Sequence, residues 1–312
     1  MKVIKYILLI ICLLLVSAVV FNYHPDISLE RLTEKYTYAD SDFVEIEGMP
    51  VHYRKTGQGP VLLLLHGTGA SLHTWEDWTR ELQDSFTVFS LDLPAFGLTG
   101  PFTDRDYSIM HYARFVDAFA EALGLEQFAL GGNSLGGLIA WVYTAEYPSK
   151  VDKLILLDAA GFPRNGEEKS PLAFRLAKNK ILAAIMKKVT PKALFKKSLN
   201  EVYGDPAKVD AKLLQRYFEL FRRPGNRQAY VDRINQKEER IDPERLKEIS
   251  QPTLILWGET DRWIPVENAE KFADRLQNHT LVRYPGVGHL PMEEIPVQTA
   301  KDVRFFLEQS WE

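Results

Sequence analysis

Apolar and polar positions alternate in two short segments near the start of the chain and then give way to a series of apolar runs. Residues 43–46 and 51–54 alternate on either side of Gly48, which predicts two half-exposed strands joined as an antiparallel hairpin. The later runs contain few polar side chains, as is typical of strands covered on both faces. They lie at residues 61–65, 86–91, 128–130, 153–157, 253–257 and 281–284.

Helical spacing of apolar residues fills intervals between these runs, at residues 71–82, 107–123, 135–147 and 266–276. Strands that alternate with helices predict a mostly parallel sheet with helices on both faces. With the hairpin included, the sequence predicts an α/β fold on an eight-stranded, mostly parallel sheet flanked by helices.

One long interval breaks this rhythm, because about 95 residues separate the runs that end at Leu157 and begin at Thr253. A single crossover helix needs far fewer residues. Prolines punctuate a helical pattern there, so we interpret residues 161–247 as a helical cap inserted after the sixth strand. Residues 25–160 and 248–312 then form the core domain.

The first 24 residues form a separate segment. Lys2 and Lys5 precede 16 residues without a strong polar group, from Tyr6 to Phe21. This run is close to the roughly 17–25 apolar residues of a membrane span, and its charged start also fits a secretory signal. We predict that residues 1–24 tether the chain to the inner membrane, with the rest outside the cytoplasm, because the lysines stay inside. A cleaved signal, which leaves a secreted or periplasmic protein, and a buried core helix are the alternatives.

Charge is distributed unevenly, although the total is only −4 and gives no reason to expect a nucleic-acid partner. The predicted cap carries 21 lysines and arginines but only 11 aspartates and glutamates. Residues 169–200 contain nine basic residues and no acidic residue, interleaved with leucine, isoleucine and phenylalanine. Two interpretations stay open: a solvated face of the cap, or a face that contacts anionic lipid head groups near the N-terminal segment.

Candidate chemistry begins at residues 132–136, which read GNSLG and fit the pattern G-x-S-x-G. The motif lies between an apolar run and a helical pattern that starts at Leu135, the setting that a nucleophile elbow requires. Small neighbours let such a sharp turn close, and the Ser134 hydroxyl then projects from the carboxyl edge of the sheet. The first amides of the helix point at the same place and stabilise negative charge. We therefore predict that Ser134 is a nucleophile.

A serine nucleophile needs a base, because its alkoxide is too basic to form unaided. His289 lies on a glycine-containing loop after the last predicted strand, where sites in open α/β sheets collect. Asp261 follows the preceding strand and is the predicted carboxylate that orients His289. Asp158, which ends the sixth strand, and Glu259 are the competing carboxylates. Ser134, Asp261 and His289 follow one of the chain orders in which serine triads occur.

Two preorganised donors must hold the negative charge that develops on a substrate carbonyl oxygen. One predicted donor is the backbone amide of Leu135, directly after the nucleophile. The other is the amide of Thr68 in the loop 66–69 (HGTG), whose glycines let the backbone approach a substrate. Residues predicted to contact the substrate are His66, Gly67, Asn133, Leu138, Phe162, Trp263 and Leu290. His66 is expected mainly to brace its loop.

These motifs give the chain a family resemblance over residues 43–312. It resembles the α/β-hydrolase superfamily, and most of all capped bacterial serine esterases and lipases and the related meta-cleavage-product C–C hydrolases. The resemblance implies the core sheet, the cap over a pocket and the triad roles. Ser134 replaces the aspartate nucleophile of haloalkane dehalogenases and epoxide hydrolases, and Leu290 follows His289 where the C–C hydrolases usually carry tryptophan. The matching segments are residues 66–69, 92–97, 132–137, 258–265 and 286–289.

The sequence therefore predicts a serine hydrolase that cleaves carboxylic esters with hydrophobic acyl or alcohol groups. The expected partner is a small hydrophobic ester, and the mechanism needs neither a metal ion nor an organic cofactor. Hydrolysis of a C–C bond by the same residues is the alternative. A non-catalytic binding protein on this fold is a third interpretation, although binding alone does not require a complete triad.

Overall fold

The computed structural model describes residues 2–163, 171–236 and 241–310. Parts of the predicted cap, residues 164–170 and 237–240, lie outside these ranges. The strands are β1 (Ser41–Ile46), β2 (Met49–Thr56), β3 (Val61–Leu65), β4 (Thr87–Leu91), β5 (Phe128–Asn133), β6 (Val151–Leu157), β7 (Thr253–Gly258) and β8 (His279–Tyr284).

All eight strands belong to one sheet, in the order β1-β2-β4-β3-β5-β6-β7-β8. β1 and β2 form the predicted antiparallel hairpin, and β2 also pairs antiparallel with β4. The remaining neighbours pair in parallel. The predicted α/β class with a mostly parallel, eight-stranded sheet is confirmed.

Helices precede, flank or interrupt this sheet, and five of the described helices lie between β6 and β7. Before β6 come α1 (Lys2–Asn22), α2 (Leu29–Tyr36), α3 (Glu76–Leu82), α4 (Ile109–Ala122) and α5 (Leu135–Glu146). The inserted helices are α6 (Leu172–Lys178), α7 (Lys180–Met186), α8 (Lys192–Val202), α9 (Ala211–Phe221) and α10 (Asn226–Asn235). After β7 come α11 (Glu267–Ala273), α12 (Pro291–Glu294) and α13 (Pro296–Glu308).

The apolar run of β3 illustrates why the central strands have no polar face. Leu63 and Leu65 belong to one hydrophobic cluster, whereas Leu62 and Leu64 belong to a second cluster. All four side chains are fully buried. Since successive side chains of a strand point to opposite faces, an unbroken apolar run fills both layers at once.

Helix α1 contacts the rest of the chain at its carboxyl end. The Thr190 amide donates a hydrogen bond to the carbonyl oxygen of Asn22 (3.1 Å), and Tyr23 forms a β-bridge with Val189. Several large apolar side chains of α1 are exposed, Phe21 most of all, which contradicts the alternative of a buried core helix. Taken over the described residues, the helices include none with both the length and the apolar character that crossing a bilayer demands.

Candidate active site

Ser134 lies on the turn between β5 and α5. Its backbone φ of +55° falls in the left-handed region, which residues other than glycine rarely adopt. The neighbouring glycines provide space: a Cβ at Gly132 would overlap the backbone of Gly136, and one at Gly136 would overlap the Leu65 carbonyl. This strand-to-helix turn presents Ser134 to an apolar cavity, which we name the main cavity.

His289 and Asp261 lie on loops after β8 and β7 and form a buried pair. His289 Nδ1 and Asp261 Oδ2 are 2.6 Å apart. The second carboxylate oxygen, Oδ1, accepts hydrogen bonds from the amides of Trp263 (2.7 Å) and Ile264 (3.0 Å). Nδ1 is held by Asp261, and His289 lines the same cavity as Ser134.

The competing carboxylates are placed differently. Glu259 is exposed, whereas Asp158 is fully buried at the end of β6. Asp158 Oδ1 accepts a hydrogen bond from the Gly258 amide (3.0 Å), and Asp261 is the carboxylate bonded to His289. Burial, followed by the charge of Asp261, raises the pKa of Asp158 well above its ordinary value.

The two predicted oxyanion donors lie at the ends of different elements. Thr68 lines the cavity together with Gly67 and Ser134, on the loop after β3. Leu135 is the first residue of α5, and the amide of a first helical residue has no acceptor within its helix. An oxyanion role for these two amides stays a prediction.

His66 braces the oxyanion loop from within the core. Its Nδ1 donates a hydrogen bond to the Gly67 carbonyl oxygen (2.8 Å), and its Nε2 accepts one from the Leu93 amide (2.9 Å). Burial lowers the pKa of His66, which agrees with a neutral ring that donates at one nitrogen and accepts at the other. His66 is absent from the residues that line the cavity beside Ser134, and its two hydrogen bonds agree with the expected bracing role.

The main cavity lies between the carboxyl ends of the strands and the inserted helices. Gly67, Asn133, Trp263 and Leu290, which were predicted to contact substrate, all line it. Its volume is about 130 Å³, room for roughly ten water molecules at the ~10–15 Å³ that each needs. Trp263 packs against the His289 ring, with ring centroids 5.7 Å apart, so the apolar wall reaches the pair formed by His289 and Asp261.

Two other predicted contacts lie outside the cavity. Leu138, on α5, packs against the large hydrophobic core cluster. Phe162 meets Phe272 of α11 edge-on, with ring centroids 4.9 Å apart. An apolar residue beside a site motif can equally well face the core, and the contact of Leu138 and Phe162 with substrate stays a prediction.

The segment inserted between β6 and β7 supplies most of the cavity wall, and none of these residues was predicted from the sequence. On α8 the lining residues recur with helical spacing, and this spacing in the sequence predicts one buried helix face. The direction of that face could not be read from the sequence. The apolar lining residues of the inserted segment are Ala173, Met186, Val189, Pro191, Leu194, Phe195, Leu199, Val202, Phe221 and Tyr230.

Two glutamates of α12 join the cap to the histidine loop. Glu293 accepts hydrogen bonds from the hydroxyls of Tyr203 (2.5 Å) and Tyr217 (2.5 Å). Glu294 accepts hydrogen bonds from the amides of Gly204 (3.0 Å) and Gly288 (2.7 Å). Because Gly288 precedes His289, these hydrogen bonds connect the inserted segment to the backbone beside His289.

The mostly parallel sheet, the strand-to-helix elbow after β5 and the helices inserted after β6 define the class of the protein as an α/β hydrolase. A family model described as alpha/beta hydrolase fold matches residues 60–296, and the chain belongs to this family.

Two curated relatives represent different chemistries. The chain is 30% identical to monoacylglycerol lipase ABHD6 of Mus musculus, over 81% of this chain and 77% of the relative. It is 26% identical to a 2-hydroxy-6-oxo-6-phenylhexa-2,4-dienoate hydrolase of Burkholderia cepacia, over 83% and 93% of the two chains. Among solved structures, a bacterial membrane phospholipase A, described as a virulence factor, is 30% identical, with a TM-score of 0.74 over 99% of this chain and 98% of that one.

Proposed function

We propose that the protein is a serine hydrolase that cleaves carboxylic esters with hydrophobic acyl or alcohol groups. The observation that carries this proposal is the elbow serine, Ser134, in an apolar cavity that His289 also lines, with Asp261 bonded to the far side of the histidine ring. Similarity to a monoacylglycerol lipase and to a membrane phospholipase A supports a lipid-like ester.

The proposed reaction proceeds through an acyl-enzyme. Ser134 Oγ attacks the ester carbonyl carbon while His289 Nε2 accepts the hydroxyl proton. Asp261 holds the imidazole in the required tautomer, and the amides of Thr68 and Leu135 hold the oxyanion. His289 returns the proton to the leaving alcohol, and water activated by the same histidine then releases the acid.

Hydrolysis of a C–C bond in a dienoic ketone is the second candidate, favoured by the similarity to the dienoate hydrolase of Burkholderia cepacia. The cavity argues for esters instead, because its wall is largely aliphatic and aromatic, as an acyl chain requires. Both candidate reactions use the same nucleophile, so active-site variants would affect them equally. Assays on different substrates are therefore needed to distinguish the two reactions.

A substrate panel tests the proposal. The full-length protein in detergent is assayed on p-nitrophenyl esters from acetyl to palmitoyl and on a meta-cleavage dienoate, and it is labelled with a fluorophosphonate. We expect labelling at Ser134 and turnover of esters, with the chain-length optimum separating an esterase from a lipase. Labelling without ester turnover, but with dienoate cleavage, would establish the second candidate. A folded protein that is neither labelled nor active would establish the binding-protein interpretation.

We also propose that α1 tethers the protein to the inner membrane and that the bulk of the chain is extracytoplasmic. Lys2 and Lys5 at the start of α1 favour a cytoplasmic N-terminus. Alkaline phosphatase fused after residue 312 tests this orientation, because that reporter folds only outside the cytoplasm. We expect an active fusion in the membrane fraction, and an inactive fusion would contradict the orientation.

The basic face of the cap is proposed to contact anionic lipid. Among the described residues outside α1, three of the seven exposed large apolar side chains lie on α7: Ile181, Leu182 and Ile185. Lys180, Lys188, Lys192 and Lys196, on α7, α8 and the segment between them, are also exposed. Exposed apolar side chains on a segment rich in exposed lysines suit the interface of an anionic bilayer.

Vesicle hydrolysis tests this contact. Ile181→Ser combined with Ile185→Ser should lower hydrolysis of a long-chain ester in phosphatidylglycerol vesicles by at least about fivefold, from the loss of buried apolar area. Turnover of a water-soluble p-nitrophenyl ester should stay unchanged. Val297→Ser combined with Phe305→Ser is the matched control, because both side chains are exposed on α13. Equal losses in the two double variants would refute the contact.

A further inference from the structure

A buried carboxyl group lies beside the pair formed by His289 and Asp261. Asp158 follows β6 directly, with a backbone φ of +42° and a fully buried side chain. Its Oδ1 accepts a hydrogen bond from the Gly258 amide (3.0 Å), whereas no described residue donates one to its buried Oδ2. Ligand atoms of Asp158, Asp261 and His289 all lie within 4.8 Å of one another.

The surroundings of Asp158 make a second negative charge unfavourable. Asp261 accepts three hydrogen bonds, from the imidazole of His289 and two backbone amides, which stabilise its charged form. Glu294 is a further acidic neighbour, and Tyr284 is a neutral hydroxyl whose pKa is raised by burial and by Asp302, to which it donates a hydrogen bond. Two carboxylates in a site that water does not reach cannot both ionise without a large repulsion, so one of them retains its proton.

We propose that Asp158 keeps its proton at neutral pH and donates a hydrogen bond from Oδ2 to Asp261, as a positioning residue for the histidine–aspartate pair. Among the residues described, no group donates a hydrogen bond to Asp158 Oδ2, because this oxygen carries the proton and is itself the donor to Asp261. The raised pKa of Asp158, caused first by burial and then by Asp261, agrees with this assignment.

The hydrogen bond has a consequence for the base. It fixes the Asp261 carboxylate against the His289 ring and withdraws part of its negative charge. A less negative Asp261 attracts a positively charged imidazolium less strongly. The catalytic consequence rests on the proposed serine-hydrolase mechanism, whereas the protonation of Asp158 does not.

Two variants test whether the side chain at position 158 acts as a hydrogen-bond donor or as a negative charge. Asp158→Asn keeps both interactions, because its amide NH2 donates to Asp261 and its carbonyl oxygen accepts from Gly258. Asp158→Leu has a similar size and loses both. We expect the asparagine variant to keep kcat within about threefold, and the leucine variant to lose about tenfold or more.

The pH–rate profile provides a readout that a merely structural role would not move. Removing the donor leaves Asp261 more negative, so the acid limb of kcat/KM should shift to higher pH in Asp158→Leu and stay in place in Asp158→Asn. If Asp158 were ionised, Asp158→Asn would remove a negative charge and shift the acid limb to lower pH. An unchanged profile in both variants, or activity abolished by EDTA, would also overturn the inference.

Two measurements need no enzymatic activity. The infrared difference spectrum between wild type and Asp158→Asn at pH 7 should contain the carbonyl band of a protonated carboxylic acid. A raised pKa of Asp158 in the folded state also means that the native protein binds more protons than the unfolded chain above about pH 4. The contribution of Asp158 to the free energy of unfolding therefore falls as pH rises. Asp158→Asn should therefore gain stability relative to wild type over that range. Absence of the infrared band would refute the inference even if esters proved not to be substrates.

Discussion

Replacing Ser134 by alanine is expected to lower kcat for ester hydrolysis by at least about 10⁴-fold, because no other group can form the acyl-enzyme. The side chain makes no hydrogen bond that caps α5, so the free energy of unfolding should change little. Initial rates on the best ester of the panel measure the first effect, and urea unfolding measures the second.

Ser198 offers a matched control, since it is a second serine that lines the same cavity. Ser198→Ala should keep kcat within about threefold, the change expected when a lining hydroxyl without a chemical role is removed. Fluorophosphonate labelling should persist in Ser198→Ala and vanish in Ser134→Ala. Retention of ester turnover in a correctly folded Ser134→Ala would refute the assigned nucleophile.

Replacing Asp92 by alanine is expected to destabilise the fold by about 3–5 kcal/mol, the cost of removing one partner from a buried, charged network. The carboxylate accepts hydrogen bonds from the amides of Leu72 (2.7 Å) and Leu98 (2.7 Å). It also pairs with His52 Nδ1 at 2.8 Å, and all of these groups are buried. Urea unfolding at pH 7 measures the loss.

The pH dependence of this loss has a definite sign. Burial opposes ionisation, but the charge and hydrogen bond of His52 outweigh it and hold the pKa of Asp92 below its ordinary value. A depressed folded-state pKa stabilises the fold above the unfolded pKa, and the effect disappears as pH falls below about 4. The difference between wild type and Asp92→Ala should therefore shrink in acid. Asp77→Ala, which breaks an exposed pair with Arg80, should change stability by at most about 1 kcal/mol and serves as the control.

The prediction of the fold succeeded where the signal was local. The run at residues 61–65 became β3 with the predicted ends, and the hairpin around Gly48 formed as expected. Ends of other elements shifted by a few residues: the helix expected from 107 begins at Ile109, because the Ser108 side chain caps it. The Ser108 hydroxyl accepts a hydrogen bond from the amide of the third helical residue, and such a cap marks the point where the extended chain ends and the helix begins.

Site residues were predictable where a turn required a residue type. The elbow needs glycines around Ser134, and loops at the carboxyl edge of the sheet placed His289 beside Asp261. Where no turn requires a particular residue type, the sequence did not predict whether a side chain faces the cavity or the core. Phe162 and Leu138 pack into the core, whereas helices far along the chain provide the cavity wall.

The sequence alone determined the α/β sheet, the inserted helices, the elbow and the residues that form the histidine–aspartate pair, because periodicity and turn geometry act between neighbours in the chain. Tertiary structure decided which faces of α7 and α8 meet the cavity, and it brought Glu293 to Tyr203 across 90 residues. It also placed Asp158 beside Asp261. The two carboxyl groups have the same chemistry, but their surroundings give Asp158 the stronger tendency to keep its proton. Burial and the charge of a neighbour set that difference, and both depend on contacts that no local pattern specifies.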